Sequence, residues 1–132
     1  MINEYGKFVD STTSSESKYT GDLVARLSVL QTHHKDIAWS RLMTSAIGML
    51  AESGEFAEIM KKILFQGKTF NENERFHMKR ELGDVLWYWV QGCIALGYNP
   101  EDVMRENITK LEKRYPNGFE IIRSEMRQEG DI

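Results

Sequence analysis

The chain has 132 residues, which is enough for a domain with its own core, and its 17 basic and 20 acidic residues give a formal net charge of −3. This balance gives no reason to expect nucleic-acid binding, and no apolar run is long enough to span a bilayer. The single cysteine, Cys93, excludes a disulfide framework and is typical of core filling in a reducing cytoplasm, so we expect a cytoplasmic protein.

The hydrophobic spacing predicts helices throughout, and the two prolines fall near helix ends, which indicates an all-α protein. The predicted helices, in chain order, are residues 2–10, Thr20 or Asp22 to about His33, Trp39–Phe65, Asn71 or Asn73 to about Leu96, Pro100 to about Tyr115, and a short tail helix from Phe119. A polar loop is expected at residues 11–15, with Gly67 and Asn99 as helix caps. We expect a single domain over residues 1–132, in which 1–20 is peripheral.

Two copies of a carboxylate motif stand out. Their sequences are Glu52-Ser53-Gly54-Glu55 and Glu81-Leu82-Gly83-Asp84. Acids three residues apart are neighbours on a helix surface, where like charges repel unless a cation lies between them. Four carboxylates on two packed helices would suit Mg²⁺ or Mn²⁺. The alternative is that they are ordinary solvated acids.

The helical phase places both acid pairs in equivalent positions beside an apolar stripe. The two stripes consist of Leu42, Ala46, Met49, Leu50, Ala57, Met60 and Leu64, and of Met78, Leu82, Val85, Leu86, Trp89, Cys93 and Leu96. Packing along these stripes would bring the four acids to one rim, with Glu58 pointing away. Gly54 and Gly83 would then permit close helix approach or leave room beside the acids, since a helical glycine otherwise costs about 1 kcal/mol.

Beyond the motifs, the chain resembles the MazG-type nucleotide pyrophosphohydrolases over about residues 38–120. The resemblance covers both motifs, the helix that continues Glu55-Phe56-Ala57-Glu58, and the closing segment Asn107-Ile108-Thr109-Lys110-Leu111 with Arg114-Tyr115-Pro116-Asn117-Gly118. It implies an all-α, four-helix-bundle-like fold with short extra terminal helices. It also implies assembly as a homodimer or homotetramer, which would cover off-stripe apolar residues such as Ile47, Ile59, Trp87 and Ile94.

The same resemblance implies hydrolysis of a nucleoside triphosphate, ribo- or deoxyribo-, to the monophosphate and pyrophosphate. Glu52, Glu55, Glu81 and Asp84 would hold Mg²⁺, with Mn²⁺ as a substitute, and would activate water for attack on the α-phosphorus. Some relatives double the first acid of each motif, whereas this chain has Ala51 and Arg80 there. The general base is therefore open among Glu55, our first choice, Glu52 and Glu81.

Further residues are candidates for contact with the nucleotide. By resemblance, Asn107 and Lys110 would bind phosphate, with Arg114, Lys113 and Lys62 as helpers, although Lys61 and Lys62 would alternatively pair with nearby acids. Aromatic and histidine side chains would bind the base. The candidates for the base are Trp39, Met43, Trp87, Tyr88, His33 and His34.

Two other functions remain open at this stage. One keeps the metal site but acts on another phosphorylated metabolite, and the other is a non-catalytic helical interaction module. A pyrophosphohydrolase would act in the cytoplasm, or in the host cytoplasm if it is phage-encoded.

Overall fold

The chain is helical over almost all of residues 1–126, the part that the computed structural model describes. The helices, in chain order, are α1 Ile2–Thr12, α2 Ser15–Lys18, α3 Thr20–His33, α4 Trp39–Phe65, α5 Glu72–Ala95, α6 Pro100–Arg114 and α7 Ile121–Glu125. The prediction of an all-α protein is confirmed, and α4 has the predicted bounds. Between residues 1 and 126, no helix has the length and apolar character needed to cross a membrane.

The four longest helices, α3 to α6, form the bundle-like part of the chain. The central contact is between α4 and α5, while α6 lies against α5 and α3 lies against α4. The short helices α1, α2 and α7 are terminal, as predicted, although α7 begins at Ile121 rather than at Phe119.

The polar loop predicted at residues 11–15 is wrong for most of its length. Ser11 and Thr12 belong to the last turn of α1, because their hydroxyls donate to the carbonyl of Phe8 at 2.8 and 3.0 Å. Such back-bonding lets short hydroxyl side chains remain within a helix. After Thr13 and Ser14 the chain turns into α2.

The cap Asn99 was predicted correctly, and Asn71 rather than the alternative Asn73 caps α5, whereas the caps proposed for α3 were wrong. Asn71 and Asn99 each accept a hydrogen bond from the backbone N–H of the second residue of α5 and α6, at 2.8 and 2.9 Å. Helix α3 begins after Tyr19, whose side chain makes no cap bond, so Thr20 and Asp22 are both inside the helix. Gly67 follows α4 with φ of +68°, a backbone conformation that favours glycine.

Helices α4 and α5 run antiparallel in a register set by two hydrogen bonds. The backbone N–H of Ala38 donates to the carbonyl of Ala95 at 2.9 Å. Seven residues further along each helix, the hydroxyl of Ser45 donates to the carbonyl of Tyr88 at 2.7 Å. Because seven residues make about two turns, positions at this spacing return to the same helix face and form the seam between the helices.

Two glycines bring α4 and α5 close together at this seam. A Cβ atom at Gly48 would lie 2.5 Å from Cγ of Tyr88, and one at Gly92 would lie 2.6 Å from the hydroxyl oxygen of Ser45. We had expected Gly54 and Gly83 either to permit close helix approach or to leave room beside the acids. Within the protomer the first alternative is wrong, because no atom lies within 4 Å of a Cβ built at either position, and this open space agrees with the second.

The seam is therefore rotated away from the predicted apolar stripes. Ser45 is fully buried and Ile59 is buried, whereas Leu50 and Leu64 of the predicted stripe are 77% and 63% exposed. Ile59 thus needs no cover from a second chain. The physical reason is that small residues allow the backbones to approach closely, so the contact forms where the side chains are smallest rather than most apolar.

A groove of about 1050 Å³ lies between α4, α5 and α6. Its floor includes Leu42 and Met49 of α4 together with Trp89 and Cys93 of α5. Cys93 is buried, as predicted, with 5% of its surface exposed. The groove is therefore lined by those residues of the predicted stripes that lie next to the seam.

Candidate metal centre

Three carboxylates from the two central helices converge at the seam. Glu52, Glu55 and Glu81 each place one oxygen within 4.8 Å of the others. Glu81 is buried, Glu52 is half-buried and Glu55 is exposed. We had expected the four acids at a rim beside the seam, and this is wrong for Glu52 and Glu81, which lie in it. Two turns beyond the Ser45–Tyr88 hydrogen bond, the same register places them opposite each other.

The fourth acid, Asp84, lies one turn after Glu81 and outside the group of three converging oxygens. Its charge nevertheless acts on the cluster. Burial is the main cause that raises the pKa of Glu52, and repulsion by Glu55, Asp84 and Glu81 raises it further. Asp84 therefore adds negative charge to the surroundings of the cluster.

This set of carboxylate oxygens fits a hard divalent cation. Negative side chains that crowd one another raise the pKa of Glu52, and a bound cation would remove that repulsion. The nearest lysines along α4 do not supply the charge, because Lys61 and Lys62 both pair with Glu58. Mg²⁺ and Mn²⁺ prefer carboxylate oxygens, so Glu52, Glu55, Glu81 and Asp84 are chemically suited to hold one.

Glu58 lies outside the cluster, in agreement with its low rank from sequence. The ammonium of Lys62 lies 3.3 Å from its carboxylate, and hydrogen bonds from Lys61 and Lys62 lower the pKa of Glu58. Lys62 lies two turns after Glu55 on the same face of α4.

One aromatic candidate lies close to the acids. Trp87 follows Asp84 by three residues, so the two side chains are neighbours on α5. The indole is 55% exposed and packs edge-on against Tyr88, with ring centroids 4.8 Å apart. Since Tyr88 is fixed against Gly48, Trp87 presents an exposed ring beside the cluster.

The candidates His34 and Trp39 lie at the other end of the hairpin. Their rings meet edge-on with centroids 6.2 Å apart, and the indole N–H of Trp39 is buried without an acceptor within residues 1–126. Trp39 precedes Glu52 by thirteen residues, which is about 20 Å along the helix axis. A nucleotide with its α-phosphate at the cluster would not place its base against Trp39 of the same protomer.

The two predicted phosphate contacts on α6 lie in the groove, not beside the acids. Asn107 and Lys110 line it together with Met49 and Trp89. At 100° per residue, Met49 and Glu55 point to opposite sides of the α4 seam, so the groove and the exposed part of the cluster open on different faces of the hairpin. Arg114, at the end of α6, places its guanidinium 5.9 Å from the ring centroid of Tyr115.

Sequence reasoning missed the residues that hold the two motif helices at the right distance. Ser45 and Gly48 on α4, with Gly92 on α5, set the separation that lets carboxylates from both helices meet. The available signal was the pair of small residues Ser45 and Gly48, three apart on α4, together with the glycine Gly92 inside α5. Trp89 was assigned to packing alone, whereas it also lines the groove.

An all-α chain with carboxylates converging from two antiparallel helices has the architecture of a helical metal-site protein. More specifically, the chain belongs to the family of the MazG nucleotide pyrophosphohydrolase domain, whose model matches residues 42–119. Proteins of this family are metal-dependent enzymes as a class, and this membership supports a pyrophosphohydrolase.

A relative of similar sequence is the Gene 37 protein of Mycobacterium phage L5. It is 34% identical over 73 residues, which are 54% of this chain and 64% of that protein. The chain thus spans slightly less than two thirds of the length of this relative. No solved structure matches the chain significantly.

Proposed function

We propose that this protein hydrolyses a nucleoside triphosphate, ribo- or deoxyribo-, to the monophosphate and pyrophosphate in a Mg²⁺-dependent reaction. The observation that carries the proposal is the convergence of carboxylate oxygens of Glu52, Glu55 and Glu81 within 4.8 Å on a chain of this family. When bound, the cation would neutralise phosphate charge and lower the pKa of a water molecule.

The acids of the cluster and the residues near them would have separate roles in the reaction. Glu52 and Glu81, held in the seam, would keep fixed positions as ligands, while Asp84 would complete the site. Glu55 is the exposed member of the converging group, so its carboxylate is the one best placed to take a proton from the water that attacks the α-phosphorus. Lys62 would contact phosphate and Trp87 would stack on the base.

The protein would act as a homodimer or homotetramer. Its surface is 10859 Å², whereas a globular monomer of 15.3 kDa exposes about 7100 Å². In such an assembly, Asn107, Lys110 and Arg114 would reach phosphate from a second copy, and His34 and Trp39 would reach the base in the same way. This arrangement reconciles their distance from the acids with the role that the family resemblance implies. We place the activity in the cytoplasm, and in a host cell if the gene is carried by a phage.

The test is pyrophosphate release from a panel of NTPs and dNTPs with Mg²⁺ and with Mn²⁺. We expect activity on at least one nucleotide, and a loss of about a hundredfold or more in Glu52→Gln and Asp84→Asn. Glu72→Gln is the control, because Glu72 is an acid of α5 outside the cluster. Full activity in the two cluster variants, or no activity of the folded wild type on any nucleotide, would refute the proposal.

A further inference from the structure

One arginine beside the acid cluster has no acidic partner in the part of the chain that the structure describes. Arg80 immediately precedes Glu81 on α5, and its side chain is exposed. Within residues 1–126 it makes no ion pair, whereas Arg75, the other arginine of α5, pairs with Glu72 at 3.5 Å. The positive charge of Arg80 is therefore available to a ligand.

The helical phase places Arg80 on the same face of α5 as two residues of the proposed site. Asp84 follows Arg80 by four residues and Trp87 follows it by seven, so the three positions lie within about 60° of one another around the helix. Counted from Glu81 in the seam, Arg80 is about 100° to one side and Trp89 of the groove is about 80° to the other. Arg80 thus lies on the side where the exposed part of the cluster opens.

The order of these residues along α5 matches the order of the groups in a nucleoside triphosphate. Trp87, the proposed contact of the base, lies about 4.5 Å along the axis from Asp84, and Arg80 lies about 6 Å beyond Asp84. Helix side chains tilt toward the N-terminus of their helix, which for Arg80 is the direction away from Trp87. A nucleotide with its base on Trp87 and its α-phosphate at the acids therefore extends its β- and γ-phosphates toward Arg80.

The lysines toward the same end of the hairpin already have acidic partners. Lys61 and Lys62 both pair with Glu58, and Lys68 pairs with Glu74 at 3.1 Å. Each of them would have to leave a carboxylate in order to bind phosphate, whereas Arg80 would not. A guanidinium is always charged and donates two parallel hydrogen bonds to a phosphate group, so it suits this ligand better than an ammonium does.

We propose that Arg80 binds the two phosphates that leave as pyrophosphate, an inference that rests on the proposed function. As the water oxygen bonds to the α-phosphorus, its proton passes to Glu55, and the bond from that phosphorus to the bridging oxygen breaks. The electron pair stays on the bridging oxygen, which adds negative charge to the leaving pyrophosphate. A fixed positive charge at Arg80 stabilises that group more strongly as its charge grows, and this favours the cleavage.

The experiment is a calorimetric titration of the full chain with inorganic pyrophosphate in the presence of Mg²⁺, comparing wild type with Arg80→Gln. We expect the dissociation constant to rise at least about tenfold, because a charge-assisted contact is lost. Arg80→Lys should recover part of this loss, since it keeps the charge but not the planar fork. All variants should retain the circular dichroism of wild type, because the side chain of Arg80 is exposed.

Lys79→Gln is the matched control. It removes the same charge from the adjacent position, which lies on the side of α5 opposite the seam and makes no ion pair among the described residues. Its affinity for pyrophosphate should equal that of wild type. An equal loss in Lys79→Gln would show that net charge alone is responsible, and this would overturn the proposal.

Two other results would also overturn it, namely a wild type that does not bind pyrophosphate and an Arg80→Gln variant that binds it as tightly as wild type does. On any nucleotide that the protein hydrolyses, kcat/KM of Arg80→Gln should fall at least about tenfold. If Arg80→Gln loses affinity for pyrophosphate and no nucleotide is hydrolysed by wild type, the contact of Arg80 with pyrophosphate is supported and only the proposed function is refuted.

Discussion

Replacement of Gly48 by alanine tests how close α4 and α5 must approach. The new Cβ would lie 2.5 Å from Cγ of Tyr88, and nearer still to two other ring atoms. Carbon atoms in comfortable contact are about 3.5–4 Å apart, so the ring must retreat by about 1 Å. Rotation of the ring about its own axis does not help, because Cγ lies on that axis.

The retreat has an energetic consequence that the structure lets us work out. Overpacking of a well-packed core costs about 1–3 kcal/mol. The retreat also pushes the helices apart and weakens the Ser45–Tyr88 hydrogen bond of 2.7 Å, which contributes about 1 kcal/mol. Against these costs, alanine gains about 1 kcal/mol of helix propensity over glycine. We expect a net loss of about 2 kcal/mol, or about 6 °C in Tm for a chain of this size.

The assay is thermal unfolding followed by far-UV circular dichroism at one fixed protein concentration, since assembly makes Tm depend on concentration. Gly83→Ala is the matched control. It lies inside α5 with open space around its Cβ position, so it should gain up to about 1 kcal/mol. A second variant, Gly48→Ala with Tyr88→Leu, should lose less stability than the two single changes added together. If Gly48→Ala were as stable as Gly83→Ala, the account of the seam would be wrong.

Two further predictions follow from the seam and the cluster. Ser45→Ala and Gly92→Ala should each destabilise the fold by about 1 kcal/mol or more. In urea unfolding the double variant should lose less stability than the sum of the two, because a Cβ at position 92 would lie 2.6 Å from the Ser45 hydroxyl oxygen and 3.6 Å from the Ser45 Cβ. Strictly additive losses would contradict this contact. Burial and repulsion raise the pKa of Glu52 above its ordinary value of about 4.3, so the ionised side chain destabilises the metal-free fold as the pH rises through the raised pKa. Without metal at neutral pH, Glu52→Gln should therefore have a larger free energy of unfolding than wild type. This difference in stability should vanish below about pH 4.3, and it should change sign when Mg²⁺ is added. An equal gain in stability at every pH would argue against the electrostatic cause.

Local structure was the part most accessible from sequence. The side chains of Asn71 and Asn99 cap α5 and α6 by bonding backbone N–H groups two residues away, and such interactions depend on neighbours alone. The wrong prediction of a loop near the N-terminus also concerns interactions between near neighbours in the chain. The hydroxyls of Ser11 and Thr12 bond either within a helix or outside it, and composition does not decide which.

The carboxylate motifs were also visible in the sequence, because Glu52, Glu55, Glu81 and Asp84 carry their chemistry in their residue type and spacing. The burial of these side chains, however, could not be predicted from the sequence. Hydrophobic periodicity selects the most apolar face of each helix, and that criterion placed Glu81 at a rim, whereas it is 7% exposed in the seam. Contact between two helices depends on the shapes of both surfaces, which a pattern along one chain does not contain.

The sequence by itself thus determined the four long helices, the caps of α5 and α6 and the identity of the acids, since each depends on interactions within a few residues. Only the tertiary structure decided that Ser45, Gly48 and Gly92 form the contact between α4 and α5. It also decided that the larger apolar faces remain outside. The physical reason is that close packing rewards small residues where two backbones meet, and the energy of that contact exists only when both helices are present.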